Sequence, residues 1–149
     1  MMQDTRLARL LHVLLHMHLR GGATTSATIA EMLHTNPVVV RRTMAALRDA
    51  GYVASTGGRG GGWVLARELD ELTVRDVHDA IEPAALFAIG PADDNPRCPV
   101  ESKVNRFLVD ALRAAEQTLL QRLAGTRLSE LARNVVPRAT SGAARRTRP

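Results

Sequence analysis

A chain of 149 residues, 45% hydrophobic and 23% charged, has the balance of a globular protein, with room for one modest core and an appendage. Its apolar runs are short and interrupted by Arg or His, its N-terminus lacks a signal-peptide pattern, and Cys98 is its single cysteine. A membrane span, a secretory leader and an intrachain disulfide are therefore not expected, and a cytoplasmic protein is. The net charge of +5 is unevenly spread: residues 1–67 carry eight Arg against three acids, residues 68–137 eight basic against twelve acidic side chains, and residues 138–149 four Arg and no acid. A basic first segment suits a polyanionic partner, although charge alone is equally compatible with a solvated surface.

The first element is a helix over Thr5 to Arg20. Leu7, Leu11, Leu14 and His18 share a stripe, Leu10 and Leu15 lie beside it, Asp4 or Thr5 caps the start and Gly21-Gly22 ends it. A second helix fits Ser26 to His34, with Thr25 or Ser26 as the capping oxygen and Ile29, Ala30 and Leu33 facing one way. Thr35-Asn36-Pro37 reads as a stop and restart. Asn36 caps a third helix, Pro37 takes its first position, and Val40, Met44 and Leu47 form its buried stripe up to Gly51. Two short strands follow, Tyr52–Ser55 and Trp63–Ala66. Five glycines in the seven residues between them exclude a helix and predict a hairpin loop.

A fourth helix opens at Leu72-Thr73, with Asp76 three residues after Thr73 in a relative of the capping box, and ends at Pro83. Residues 84–99 are rich in Pro, Gly, Asp and Asn and read as a loop. From Val100 to about Leu123 a long amphipathic helix is expected, with Val104, Phe107 or Leu108, Ala111, Ala115, Leu119 and Leu123 recurring at steps of three and four. A short helix fits Ser129–Val135, and the Arg-rich tail after Pro137 is expected to be disordered. The fold class is thus mainly α with a small β-hairpin wing: a winged helix-turn-helix plus a long C-terminal dimerisation helix. Four segments are expected: a DNA-binding domain at 1–67, the fourth helix and a sensor or linker loop at 68–99, the dimerisation and closing helices at 100–137, and a basic tail at 138–149.

Function follows from geometry. The second helix of a helix-turn-helix enters the major groove and meets base edges near its N-terminus. With Val40, Met44 and Leu47 turned inward, the opposite face shows Val38, Val39, Arg41 and Arg42. The two Arg can reach guanine or phosphate, and the two Val a thymine methyl. Thr25, Ser26 and Asn36 lie at helix N-termini, where phosphate oxygens bind. The glycine-rich loop could in principle cradle a nucleotide phosphate. It leads into a strand, however, and no Lys follows, so a flexible wing with Arg59 and Gly60 at its tip fits better.

Three runs carry a resemblance: Asn36-Pro37-Val38-Val39-Val40-Arg41-Arg42, then Leu47-Arg48-Asp49-Ala50-Gly51-Tyr52-Val53, then Gly60-Gly61-Gly62-Trp63-Val64-Leu65-Ala66-Arg67. With Leu72-Thr73-Val74-Arg75-Asp76-Val77 and Thr126-Arg127-Leu128-Ser129-Glu130-Leu131, the chain up to Pro137 resembles the Rrf-type bacterial regulators, the group that includes IscR, NsrR and CymR. The resemblance implies a homodimer joined through the long helix and bound to an inverted-repeat operator in double-stranded DNA. It departs in two places. Many members carry an Arg where this chain has Gly57. Cluster-binding members place three cysteines before the long helix, where this chain has Cys98 alone, so an iron–sulfur cluster is not expected and no cofactor or metal is assigned.

A homodimeric transcription regulator acting as a repressor is therefore expected, with no enzymatic activity. Two alternatives stay open. Cys98 is either a redox-sensing thiol, favoured by a helix N-terminus with Arg97 and Lys103 nearby, or an inert residue at the helix start. The winged helix could also serve as a protein-interaction module. An unknown small-molecule or redox effector would act between the fourth helix and the long helix.

Overall fold

The computed structural model describes residues 3–58, 61–82 and 85–135. In chain order they form α1 (Arg6–Arg20), α2 (Ser26–Met32), α3 (Pro37–Asp49), β1 (Val53–Ser55), β2 (Trp63–Leu65), α4 (Val74–Ala80), α5 (Pro99–Ala124) and α6 (Leu128–Ala132). The two strands are antiparallel, with Val53 opposite Leu65 and Ser55 opposite Trp63. The fold is mainly helical with a hairpin wing, as the pattern predicts.

The local chemistry explains most boundaries. Thr25 Oγ1 accepts from the Thr28 N–H at 3.1 Å and starts α2. That helix ends at Met32, two residues earlier than expected, because His34 takes a left-handed φ of 50° that a right-handed helix cannot continue. Asn36 Oδ1 then accepts from the Val39 N–H at 3.1 Å, and Pro37 occupies the first position of α3, where its missing N–H leaves nothing unpaired. The chain leaves α3 through Gly51, whose φ of 81° is left-handed. At α4, Thr73 Oγ1 accepts from the Asp76 N–H at 3.2 Å while Asp76 Oδ2 accepts from the Thr73 N–H at 2.8 Å, a complete capping box. Pro83, expected to stop this helix, lies outside the described residues. So do Arg59, Gly60 and the tail from residue 136 onward.

Two further expectations change, and one open alternative is decided. The buried face of α1 consists of Leu10, Val13, Leu14 and Met17, whereas His18 is exposed and Leu7, Leu11 and Leu15 only flank the core. Leucines occupy nearly every side of α1, so periodicity alone left its rotation open. The start of α1 is satisfied by Asp4, whose Oδ1 accepts from the Arg6 N–H at 3.0 Å; Thr5 makes no side-chain cap. The closing helix is Leu128–Ala132, earlier and shorter than Ser129–Val135, because Leu128 is fully buried and pulls the helix start inward.

One core serves the whole described chain. Leu10 and Leu14 of α1, Ile29 of α2 and Met44 of α3 cluster with Val77 of α4 and Leu128 of α6. The last two arrive because the end of α5 is stitched back to the start of α4. Val74 N–H donates to Thr126 O at 2.9 Å, and Leu128 N–H donates to Leu72 O at 2.9 Å. Ahead of these stitches α5 runs 26 residues, about 39 Å at 1.5 Å per residue, without one buried side chain. Its apolar residues divide. Leu123 packs against the core and Leu108 is half-buried, whereas Val104 at 50% exposure and Phe107 at 70% face solvent.

Candidate nucleic-acid interface

The interface is built on α3 and on the hairpin beside it. Val40, Met44 and Leu47 anchor α3 in the core, and this leaves Val38, Val39, Arg41 and Arg42 exposed. Val38 is 61% exposed and Val39 38%. Neither Arg has a salt bridge or hydrogen bond among the described residues, so both guanidinium groups are available to a ligand.

The hairpin is locked to the start of α2 at its root. Trp63 N–H donates to Thr24 O at 2.8 Å and Thr24 N–H donates to Trp63 O at 2.9 Å. The Trp63 indole Nε1–H adds a bond to Ser26 Oγ at 3.1 Å. Gly62 is what permits this approach, because a Cβ there would lie 2.5 Å from the Thr24 carbonyl oxygen. Higher up, Thr56 closes the loop: its N–H donates to Gly62 O at 2.7 Å, and its Oγ1 accepts from the Gly62 N–H at 2.7 Å. Together these bonds frame a groove of about 370 Å³ lined by Thr25, Ser26 and Arg41 on one side and by Ser55, Thr56 and Gly58 of the wing on the other. Hydroxyl groups, backbone and one free guanidinium make this a polar groove suited to phosphate oxygens.

A family profile described as "Iron-dependent Transcriptional regulator", the Rrf2 profile, matches residues 3–134. The chain belongs to the Rrf2 family of transcriptional regulators. It is accordingly a DNA-binding regulator of the winged-helix class, a non-enzymatic family. Among its relatives, YwnA of Bacillus subtilis (strain 168), named as an HTH-type transcriptional regulator, is 30% identical over 131 residues, which cover 87% of this chain and 96% of YwnA. The solved structure of a transcriptional regulator from Lactobacillus plantarum superposes with a TM-score of 0.71 at 23% identity, over 87% of this chain and 88% of that one. CymR, the global cysteine regulator of B. subtilis, has a TM-score of 0.61 at 21% identity, over 91% of this chain and 99% of CymR. Both likenesses speak for the fold.

The iron in the family description finds no matching donors in this Rrf2 member. Cys98 is its single cysteine, and among the described residues no group of three or more His, Cys, Asp or Glu gathers as a metal would require. The loop ahead of α5 is fastened by protein groups instead. Asn105 Nδ2–H donates to Ala92 O at 2.7 Å while its Oδ1 accepts from the Ala92 N–H at 2.9 Å, and Glu101 Oε2 accepts from the Asn95 N–H at 2.8 Å. Cys98 is the half-buried residue at the start of α5, and its thiol makes no capping bond. Within the described residues, no helix is long and apolar enough to cross a membrane.

Of the residues singled out from sequence, Thr25, Ser26 and Arg41 meet in the wing groove. Asn36 is engaged as the cap of α3, with Val38 and Val39 on the outer face. Arg42 points elsewhere, to a second cavity beside α1 and α4, because successive helical residues diverge by about 100°. Sequence reasoning passed over Thr56 and Trp63. A hydroxyl residue directly before a glycine run and an indole directly after it were the available signals.

Proposed function

We propose that this Rrf2 regulator acts as a homodimeric repressor on an inverted-repeat operator. Each α3 inserts into the major groove, where Arg41 and Arg42 contact guanine edges or phosphate and Val38 and Val39 contact thymine methyls. The wing, with Arg59 and Gly60, contacts backbone or minor groove, and Thr25, Ser26 and the Asn36 turn approach phosphates. The observation that carries this reading is the groove where the unpaired Arg41 guanidinium meets the α2 start and the wing, on a helix that turns Val38 and Val39 to solvent. The dimer is supported by α5: a helix this long with Val100, Val104 and Phe107 at least half bare to water has apolar surface to cover, and a second copy of the same helix is its natural complement. Two linked α3 helices then sit about one DNA turn, roughly 34 Å, apart.

Footprinting of the purified protein on genomic DNA tests the operator, and run-off transcription tests the sign of regulation. Binding should fall steeply with salt, and Arg41→Ala should cost about 1–3 kcal/mol of operator affinity. Phe107→Glu should convert the dimer to monomer by light scattering. An unprotected genome, or a wild-type monomer on DNA, refutes the proposal.

A further inference from the structure

Behind α3, on the side away from the wing, lies a cavity of about 470 Å³ at the junction of α1, α3 and α4. It exists because the residues facing the junction are small. Ala46 and Ala50 come from α3 and Ala80 from α4, while Leu10 and Ile81 close the floor. Three methyl groups where three helices converge leave space that larger side chains would fill, and the volume falls in the range of small-molecule sites, about 300–1,000 Å³.

The rim is charged, and its charges do not all balance within the protein. Arg6 is committed: its Nη2 pairs with Asp4 at 2.7 Å and its Nη1–H donates to Ile81 O at 3.0 Å, which braces the end of α4 against α1. Glu82 sits close enough to add to the field at Arg6, and its backbone holds a left-handed φ of 46° at the cavity mouth. Asp49 has its neighbour Arg48 at 3.4 Å. After these pairings Arg42 is the one rim cation without an acidic partner among the described residues.

We infer that this cavity is an effector site for a small organic acid, its aromatic or branched aliphatic body between the alanines over the Leu10–Ile81 floor and its carboxylate on the Arg42 guanidinium. An apolar floor with a single unpaired guanidinium selects a monoanion over a neutral molecule, because a charge-assisted hydrogen bond is stronger than a neutral one. The acidic rim residues disfavour a dianion. The inference rests on the reading of α3 as the DNA-contacting helix, and it supplies that reading with a switch. Arg42 cannot hold a carboxylate and a DNA oxygen together, so acid and operator compete for one side chain. By linkage, each weakens the other by the same factor.

Two measurements separate the site from its consequence. Titration of ¹⁵N-labelled protein with benzoate, hexanoate and indole-3-acetate, each against its neutral alcohol, reads the site without DNA. At least one acid should give saturable shifts centred on the amides of Ala46, Ala80 and Ile81. Arg42→Gln should weaken it about tenfold, and Ala80→Leu, or Ala80→Val should the larger residue unfold the chain, should abolish it. Shifts absent for all three acids, equal for acid and alcohol, or unaffected by Arg42→Gln overturn the site. On operator DNA, that acid should raise the wild-type Kd about tenfold and leave the Kd of the Ala80 variant unchanged. An acid that binds yet leaves the DNA Kd unmoved overturns the switch. Failure to bind DNA even without acid counts against the DNA reading, while the titration still decides the site.

Discussion

Replacing Gly62 with Ala separates the hairpin root from the helix-turn-helix by one methyl group. The new Cβ would fall 2.5 Å from Thr24 O, 2.7 Å from Thr24 C and 3.0 Å from Thr25 Cα, all of them backbone atoms that no rotamer can move. Restoring ordinary contact needs a separation of about 0.9 Å between β2 and the start of α2, taking carbon–oxygen contact as about 3.4 Å. That displacement stretches three hydrogen bonds now at 2.8, 2.9 and 3.1 Å: the Thr24–Trp63 pair and the Trp63–Ser26 bond. At about 0.5–1.5 kcal/mol each, their loss amounts to about 1.5–4.5 kcal/mol. The opposing gain from restricting the unfolded chain is about 0.4–1 kcal/mol, so the clash wins and a net loss of about 0.5–4 kcal/mol is expected. Urea unfolding measures this, with Gly57→Ala as the control, since a Cβ there meets nothing within 4 Å. Operator affinity by fluorescence anisotropy should fall with it, because the groove between Arg41 and the wing loses its wall. A Gly62→Ala protein within 0.5 kcal/mol of wild type and equally tight on DNA would show that the hairpin is not positioned by this contact.

Three further outcomes follow from the geometry. Asn36→Ala removes the acceptor for the Val39 N–H and should lower stability by about 1 kcal/mol in the same urea assay, with Asn36→Asp close to neutral. The Arg6 guanidinium, and after it the Arg6 backbone N–H, donate to the Asp4 carboxylate and hold its pKa down from an ordinary 3.8 to about 2. A depressed carboxylate stabilises the fold above its unfolded pKa and loses that contribution as pH falls from about 4 through 2. An NMR titration of Asp4 should therefore show its midpoint near 2 in wild type and a higher one in Arg6→Gln, which keeps the backbone hydrogen bond, with little effect on global stability because the pair is exposed. Finally, Asn105 and Glu101 hold the loop before α5 through hydrogen bonds to Ala92 and Asn95, with no metal needed. Amide exchange at Ala92 and Asn95 should be unaffected by chelator and accelerated by Asn105→Ala. Chelator-induced loss of protection would refute a metal-free clasp.

The local elements of this regulator were largely legible in its sequence because they are set by short-range chemistry. Asn36-Pro37 dictates where α3 begins, Gly51 where it ends, and the glycine run that the segment between β1 and β2 is a loop. The assignment of Val40, Met44 and Leu47 to the core also held, since α3 has one apolar stripe and one polar face. Where a helix is apolar on several sides, the pattern could not choose. The rotation of α1 toward Leu10, Val13 and Met17 is decided by what it packs against, and α5 divides its apolar residues between its own chain and solvent for the same reason. Contacts between distant segments were beyond sequence altogether. The docking of Trp63 on Ser26 spans 37 positions and that of Arg6 on the Ile81 carbonyl 75, and no periodicity encodes such pairings. The sequence named Arg41 and Arg42 as a pair. Tertiary packing sends them to different grooves, one shared with the wing and the other with α1 and α4, because the core fixes the rotation of α3 and one helical step then turns each neighbour away from the last.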